Sequence, residues 1–579
     1  MKSQQKENSV MEKVFGQVRA DLEAVGVDAE TAQLLPINAT PENVEGDFGI
    51  PVFSLAKTFR KSPPQIAQEL AVKLTDTVTK NGYVTKYFPV GPYVNFELNA
   101  EKFATTTVVD ILQKGPEYGR QNFGSGEKVI IELSSPNIAK RMSVGHLRST
   151  IIGDAIAKAY SFCGFEVIKD NHLGDWGTQF GHLLYAIEQW GDFAAIEKNP
   201  IEELQKLYVK VSAAGEEDEK VKDAGRAWFK KLEDGDPEAR RLWQKITDWS
   251  LKDFQKIYDI LDVKFDITLG ESFYEPMLQP VIEKAKKTGA ATESRGALVF
   301  DLEDQGLGIA ILQKSDGATI YLTRDLAKIM YCTETLKADR LIYVVGEDQK
   351  LYFRQLFAAA KKMGYKLADH SVHIYFGLVR LPEGKMSTRK GRVIFLEDLI
   401  VEAQKRAAAM ISGKTKLTTD VEKEKLIKQI SVGALKWNDL KEDPREPVIF
   451  NWDEMLSLKG NSAPYVQYAY ARAASVLEKA GELKKPHSLM PTEPLEKSVV
   501  KKVAEFPSVV KKVVENNTSA PLATYLYELA QEYNSFYHEL TILGAERKAK
   551  ETRIALSAAV AQTLKNGLSL LGIEAPEKM

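Results

Sequence analysis

The sequence predicts a parallel α/β sheet domain set between an N-terminal α+β module and an all-helical C-terminal region. Three observations carry that reading. VIIEL at 129–133 and FEVIKDN at 165–171 read as short strands joined by a helix, the βαβ unit of a parallel sheet. Before them, an amphipathic helix from Val10 to Val25 is followed by alternating apolar stretches such as YVNFEL at 93–98. From about residue 452 onward, apolar residues recur almost everywhere at helical period.

Taken in order, the first zone (1–123) contains the opening helix, the Gly/Asp-rich GDFGIPVF at 46–53 and a Pro-flanked helix from Pro64. It ends at the linker Gly124-Ser125-Gly126. The second zone (124–451) starts with VIIEL and the loop SSPNIAKRMSVG. A helix from His146 follows, with Leu147, Ile151, Ala155, Ala159 and Phe162 on one face and Gly164 at its stop. LVFDL (298–302), IAILQ (309–313) and LIYVV (341–345) supply further strands. A charged helical stretch at about 190–262, centred on AWFKKLEDGDPEARRLW, reads as an insertion. The last zone (452–579) closes with a helix that lines up Ile554, Ala558, Ala561, Leu564, Leu568 and Leu571, with Gly572 ending it.

A chain of 579 residues calls for three or four domains, and 44% hydrophobic with 27% charged residues are ordinary globular proportions. With 78 basic against 80 acidic side chains, any nucleic-acid surface must concentrate its Lys and Arg on one face. Cys163 and Cys332 are too few for a disulfide framework or a Cys-rich zinc site and read as buried thiols. The N-terminus is polar without an apolar signal core, and no apolar run is long enough to cross a bilayer. A cytoplasmic compartment is expected.

In a parallel sheet, ligands gather beyond the carboxyl ends of the strands, where helix N-termini point N–H groups outward. Ser143-Val144-Gly145-His146 opens such a helix: Gly145 permits close backbone approach and His146 can donate to a phosphate. GKMSTRKG at 384–391 is a glycine-bounded cationic loop suited to triphosphate charge. Singly, these read as a capping histidine and a solvated basic turn. In this order, about 240 residues apart, they point to one nucleotide site.

The pair resembles the HIGH and KMSKS signatures of class I aminoacyl-tRNA synthetases, and the wider wording resembles the arginyl-tRNA synthetase family. SSPNIAKRMSVGHLRSTIIGDA (134–155), NHLGDWGTQFG (171–181), LGES (269–272), YLTRDLA (321–327), KMSTRKG (385–391), APYVQYAYAR (463–472) and the terminal LLGIEAPEKM follow the family's order across essentially the whole chain. The resemblance implies a Rossmann-type (HUP-like) catalytic domain, a helical anticodon-binding domain and an N-terminal tRNA-contacting module. It also implies activation of L-arginine with ATP, then transfer to the 3′-terminal adenosine of tRNA(Arg), with bound tRNA needed to form the adenylate; Mg²⁺ on the phosphates and a monomer are expected besides. His146, Lys385, Arg389, Lys390 and Ser143 would be catalytic, with Gly145, Met386 and Ser387 also on ATP. Two positions depart from the pattern. Ser143 replaces a histidine and cannot carry charge, and Thr388 replaces a lysine just before Arg389 and Lys390.

The same resemblance places Glu271, Asp325 and Tyr321 on the guanidinium, and Ser135, Asn137 and Gln349 on the α-amino and carboxylate groups. If YLTRD begins a helix, Tyr321 and Asp325 share a face, although Asp325 is equally an N-terminal helix acid. Glu132 either pairs with the α-ammonium or is a strand-end carboxylate in water. Tyr465, Arg472, Tyr537 and Met579 would meet the anticodon loop, with packing between helices as the alternative for the tyrosines. Tyr93 and Asn95 would meet the tRNA elbow, or simply occupy a half-buried strand. The lysine pairs at 501–502 and 511–512 read as solvated. No Ser/His/Asp or paired-carboxylate arrangement argues for covalent catalysis, so two in-line steps governed by positioning and charge are expected. Rival readings are a ligase for another amino acid, another HxGH nucleotidyltransferase and a non-catalytic RNA-binding paralogue.

Overall fold

A four-stranded antiparallel sheet, a five-stranded parallel sheet and a bundle of long helices succeed one another along the chain. The computed structural model describes residues 9–579 except 42, 382–383, 386–394, 414, 416 and 483–485, with Leu381, Gly384 and Lys385 described as backbone only. Met386, Ser387, Thr388, Arg389 and Lys390 therefore lie outside the described residues.

The opening helix, Val10–Ala24, is capped reciprocally: Glu12 N–H donates to Ser9 Oγ at 3.2 Å, and Ser9 N–H to Glu12 Oε2 at 2.8 Å. Its Val10, Val14, Val18 and Leu22, spaced by four, form the buried face. The antiparallel sheet orders its strands Asn38–Ala39, Phe48–Pro51, Tyr93–Leu98, Val84–Val90.

The parallel sheet runs Ser371–Phe376, Arg340–Gly346, Lys128–Ser134, Glu166–Asn171, Ile267–Thr268. VIIEL lies in its central strand and is buried throughout, Glu132 included, as a strand covered on both faces requires. Helix Val144–Phe162 begins two residues before His146. It packs so closely on the central strand that a Cβ on Gly153 would meet Leu133 Cβ at 2.2 Å.

Of the three further strands read from the sequence, only 341–345 joins this sheet. LVFDL and IAILQ pair antiparallel with each other in a separate three-stranded sheet. The few residues between them, a single turn at Glu303–Gln305, allow a hairpin and are far too short for a parallel crossover. The charged stretch forms four helices between Phe193 and Leu261. Beyond residue 462 the long helices are Ala463–Ala480, Pro494–Asn516, Ala520–Glu539 and Arg547–Leu570. No described helix is long and apolar enough to cross a membrane.

Candidate active site

The central strand Lys128–Ser134 pairs with Glu166–Asn171 on one side and Arg340–Gly346 on the other, so the sheet changes winding direction beside it. That switch point opens a crevice beyond the strands' carboxyl ends. A cleft of about 470 Å³ occupies it, and it brings together Glu132, Ser135, Asn137, Glu271, Tyr321, Asp325 and Gln349. Four separate chain segments supply these seven side chains.

Each is held by a local device. Asn137 bridges to Gly174, and a Cβ on Gly174 would lie 2.1 Å from Asn137 Oδ1, so only glycine leaves room for that amide. Asp175 pins the turn that carries Glu271: its carboxylate accepts from Ser272 N–H at 2.9 Å and from Ser272 Oγ–H at 2.6 Å. Helix Tyr321–Glu334 starts at Tyr321, which places Tyr321 and Asp325 one turn apart on the cleft wall. Asp325 is thus not merely an acid beside a helix dipole, because the Tyr352 hydroxyl donates to it.

The cleft is short of cations. Glu271 Oε2 is buried without a hydrogen-bond partner, and the nearest guanidinium, Arg324, stands 3.9 Å away and bonds Glu275 at 3.0 Å instead. Burial pushes the Glu271 carboxyl up to about 7, against the opposing pull of Arg324. Burial likewise pushes Asp325 up to about 6, with the Tyr352 hydrogen bond acting in the other direction. Two carboxylates that are costly to ionise when alone are suited to an incoming cation.

Glu132 is neither a water-exposed strand end nor an unpaired acid. It is 5% exposed, and its Oε2 lies 2.5 Å from Nζ of the fully buried Lys328, which lies equally close to Asp170. Ligand atoms of Glu132, Asp170 and His172 fall within 4.8 Å of one another, but Lys328 supplies the positive charge between the two carboxylates. That trio therefore does not fit a resident metal.

The nucleotide side begins at Ser143, the N-cap of helix Val144–Phe162. Ser143 N–H donates to His146 Nδ1 at 2.9 Å, which leaves the imidazole proton on Nε2 as an outward donor. Burial holds this histidine below its usual range, so it works as the neutral ring. Ser143 thus orients His146, its hydroxyl lying 3.1 Å from the same nitrogen. At Gly145 an added Cβ would meet only Ser143 Oγ, at 3.6 Å, so the backbone there is open to close approach.

Both flanks of the second signature converge on this helix. Phe395 bridges Ser143, Leu396 N–H donates to Met142 O at 2.9 Å, and the Arg141 guanidinium lies 4.0 Å over the Phe395 ring. On the other flank, Lys385 pairs with Arg380, and Gly377 O accepts from Arg148 Nη1 at 2.6 Å. Arg148, 1% exposed, also grips Asp439 through two bonds of 2.8 and 3.1 Å. Asp439→Ala leaves this guanidinium buried without its counter-ion and is expected to cost about 3–5 kcal/mol in denaturant unfolding.

The surfaces read as tRNA contacts divide. Arg472 stacks on Tyr468 at 4.9 Å and Tyr537 at 4.7 Å, and Tyr468 is 38% exposed. Tyr465 is half-buried against Tyr527, and Met579 packs at the edge of a cluster formed by Ala407, Ile411, Leu426 and Ile430. Tyr93 is 39% exposed and edge-on to Phe53. Asn95 is a correction: it is 2% exposed, and its Nδ2 donates to Glu45 O at 2.8 Å. Strand parity puts it on the face of Tyr93, but the 45–46 turn covers it, so it holds that turn rather than meeting a ligand.

Lys328, Asp175, Tyr343 and Tyr352 were missed by sequence reasoning. Nothing local marks them except Lys328, a lysine continuing the helical stripe of Tyr321 and Asp325.

A cleft at the switch point of a parallel sheet, beside a helix whose GH start meets both flanks of a cationic loop, defines a class I aminoacyl-tRNA synthetase. The family description "tRNA synthetases class I (R), catalytic domain" matches residues 107–452, "Arginyl tRNA synthetase N terminal domain" 13–98, and "DALR anticodon binding domain" 466–579. The chain belongs to the arginyl-tRNA synthetase family. It is 42% identical over 572 residues to the arginine–tRNA ligase of Halothermothrix orenii, covering 98% of this chain and 99% of that protein. It is 44% identical over 550 residues to the corresponding ligase of Lactococcus lactis subsp. lactis, covering 94% and 96%. The solved arginyl-tRNA synthetase of Thermus thermophilus matches with a TM-score of 0.80 at 28% identity, over 97% of this chain and 99% of that one.

Proposed function

We propose that the cleft seats L-arginine with its guanidinium between Glu271 and Asp325 beneath Tyr321, and its α-ammonium and carboxylate toward Glu132, Ser135, Asn137 and Gln349. ATP lies along the Gly145–His146 helix start, with Lys385, Met386 and Ser387 also assigned to ATP binding and Arg389 and Lys390 to catalysis. The chain is an arginine–tRNA ligase. The observation that carries the seating is the pair of half-buried carboxylates, Glu271 and Asp325, facing one cleft from separate segments, with Arg324 engaged mainly by Glu275.

The reaction then needs no protein nucleophile. The arginine carboxylate attacks the α-phosphorus and pyrophosphate leaves; the terminal ribose hydroxyl next attacks the acyl carbon and AMP leaves. His146 Nε2–H and the helix N–H groups stabilise charge on the phosphoryl oxygens. Magnesium enters with the ATP phosphates as part of the substrate. Lysine lacks the planar fork and leaves a buried carboxylate unpaired, at about 1–3 kcal/mol per lost partner. Tyr465, Arg472 and Tyr537 offer rings and a guanidinium for unpaired anticodon bases, with Met579 at the chain end and Tyr93 toward the elbow. Charging places the enzyme in the cytoplasm, where ATP and tRNA are.

The test is transfer of labelled arginine to tRNA with lysine and canavanine as competitors. Charging that lysine inhibits as well as unlabelled arginine overturns the seating.

A pH dependence follows from the same carboxylates. Arginine stays cationic throughout and binds their ionised forms, so its binding releases protons. As pH falls from 8 to 6, through values of about 7 and about 6, arginine KM is expected to rise on the order of tenfold. Correspondingly, a fixed arginine concentration raises Tm more at pH 8 than at pH 6.

A further inference from the structure

Tyr343, Glu132 and Asp170 stand in one row across three neighbouring strands: Tyr343 is in register with Glu132, and Glu132 with Asp170. Their side chains therefore leave the sheet on the same face. Lys328 reaches this row from helix Tyr321–Glu334, three residues past Asp325 and seven past Tyr321, so the cleft-facing stripe runs on into the core. Its Nζ lies 2.5 Å from both carboxylates, at zero exposure. Lys328 bonds Asp170 through Oδ2, Asp170 Oδ1 is buried without a hydrogen-bond partner, and Glu132 forms part of the cleft wall. One ammonium against two carboxylates leaves this buried trio with a net charge of −1.

We propose that Lys328 is a positioning residue whose pairing with Glu132 and Asp170 sets the charge that the α-ammonium of arginine meets. The inference rests on the seating of arginine given above. Asp170 supplies the second negative charge, so that the trio stays anionic toward the cleft after Lys328 is neutralised. Remove Lys328, and two in-register carboxylates share a site without water; they cannot both ionise, and a proton enters. Remove the Asp170 charge instead, and Lys328 cancels Glu132. Either change weakens the hold on a cation: without Lys328 the net charge is unchanged, but the entering proton takes charge off Glu132, the carboxylate on the cleft wall, and without Asp170 the pair is neutral; making both changes together leaves Glu132 as the one full negative charge facing the cleft.

The other titratable groups facing the trio do not obscure this. Burial pushes His172 down to about 3 and His373 to about 4, and it pushes Tyr274, Tyr343 and Cys332 upward, so these stay neutral between pH 6 and 9. Burial raises the Asp325 carboxyl in the wild type and in every variant alike, so differences from the wild-type profile report the carboxylate pair left by removing Lys328.

Three full-length variants test this by steady-state charging and arginine titration calorimetry: Lys328→Met, Asp170→Asn and the double variant. Each single change is expected to raise arginine KM and Kd about tenfold at pH 7, with ATP KM within about twofold of wild type. In Lys328→Met the defect deepens as pH falls. The double variant returns to within about threefold of wild type with a wild-type pH profile. Single variants that bind arginine normally, or a double variant no better than Asp170→Asn, overturn the inference. Should Lys328→Met fail to fold, the comparison of Asp170→Asn with the double variant decides alone. A wild-type protein that binds no arginine fails the seating itself, a result distinct from either.

Discussion

Asp325→Asn is expected to raise arginine KM by at least about a hundredfold while ATP KM stays within about twofold. The substitution keeps the volume and an acceptor for the Tyr352 hydroxyl, so the helix face survives. What it removes is one of two buried charges facing the guanidinium. A charge-assisted bidentate contact contributes about 3 kcal/mol or more, which corresponds to two decades in affinity. Because arginine is held by this group in ground and transition states alike, the loss belongs in KM and kcat changes little. Steady-state pyrophosphate exchange with arginine and ATP varied separately, tRNA present, measures both. A tenfold or smaller rise in arginine KM with unchanged Tm would remove Asp325 from the guanidinium site.

His146→Ala is expected to lower the kcat for pyrophosphate exchange about 10²–10³-fold, the effect of losing one preorganised donor to developing phosphoryl charge. Arginine Kd by calorimetry stays near wild type, since the ring lies on the nucleotide side of the switch point. Fold is little affected: the backbone N–H of residue 146 still donates to Ser143 O, and Arg148, which ties the helix to Asp439 and Gly377, is untouched. Near-normal exchange would show that the two signature segments meet for structural reasons alone.

These two effects differ in kind, and so does their legibility in the chain. The βαβ unit was readable because VIIEL is a short β-rich run, apolar but for Glu132, and Gly164 stops the helix, both local signals. Tyr321 and Asp325 shared a face by helical spacing alone. LVFDL and IAILQ read correctly as strands but belong to a separate antiparallel hairpin, which strand propensity cannot distinguish. Asn95 alternates with Tyr93 as an exposed position does, yet a turn some fifty residues earlier in the chain covers it and takes its amide.

By itself, then, the sequence determined where helices and strands begin, which signature residues open the nucleotide-binding helix, and which acids are candidates for arginine. Periodicity, caps and glycine positions are local properties, written residue by residue. Only the tertiary structure decided which of those acids are charged, paired or covered. Glu132 acquired a partner 196 residues away in Lys328, and burial pushed the Glu271 carboxyl up against the opposing pull of Arg324. Burial and charge balance depend on what distant segments bring to the same few ångströms, and no window of sequence contains that sum.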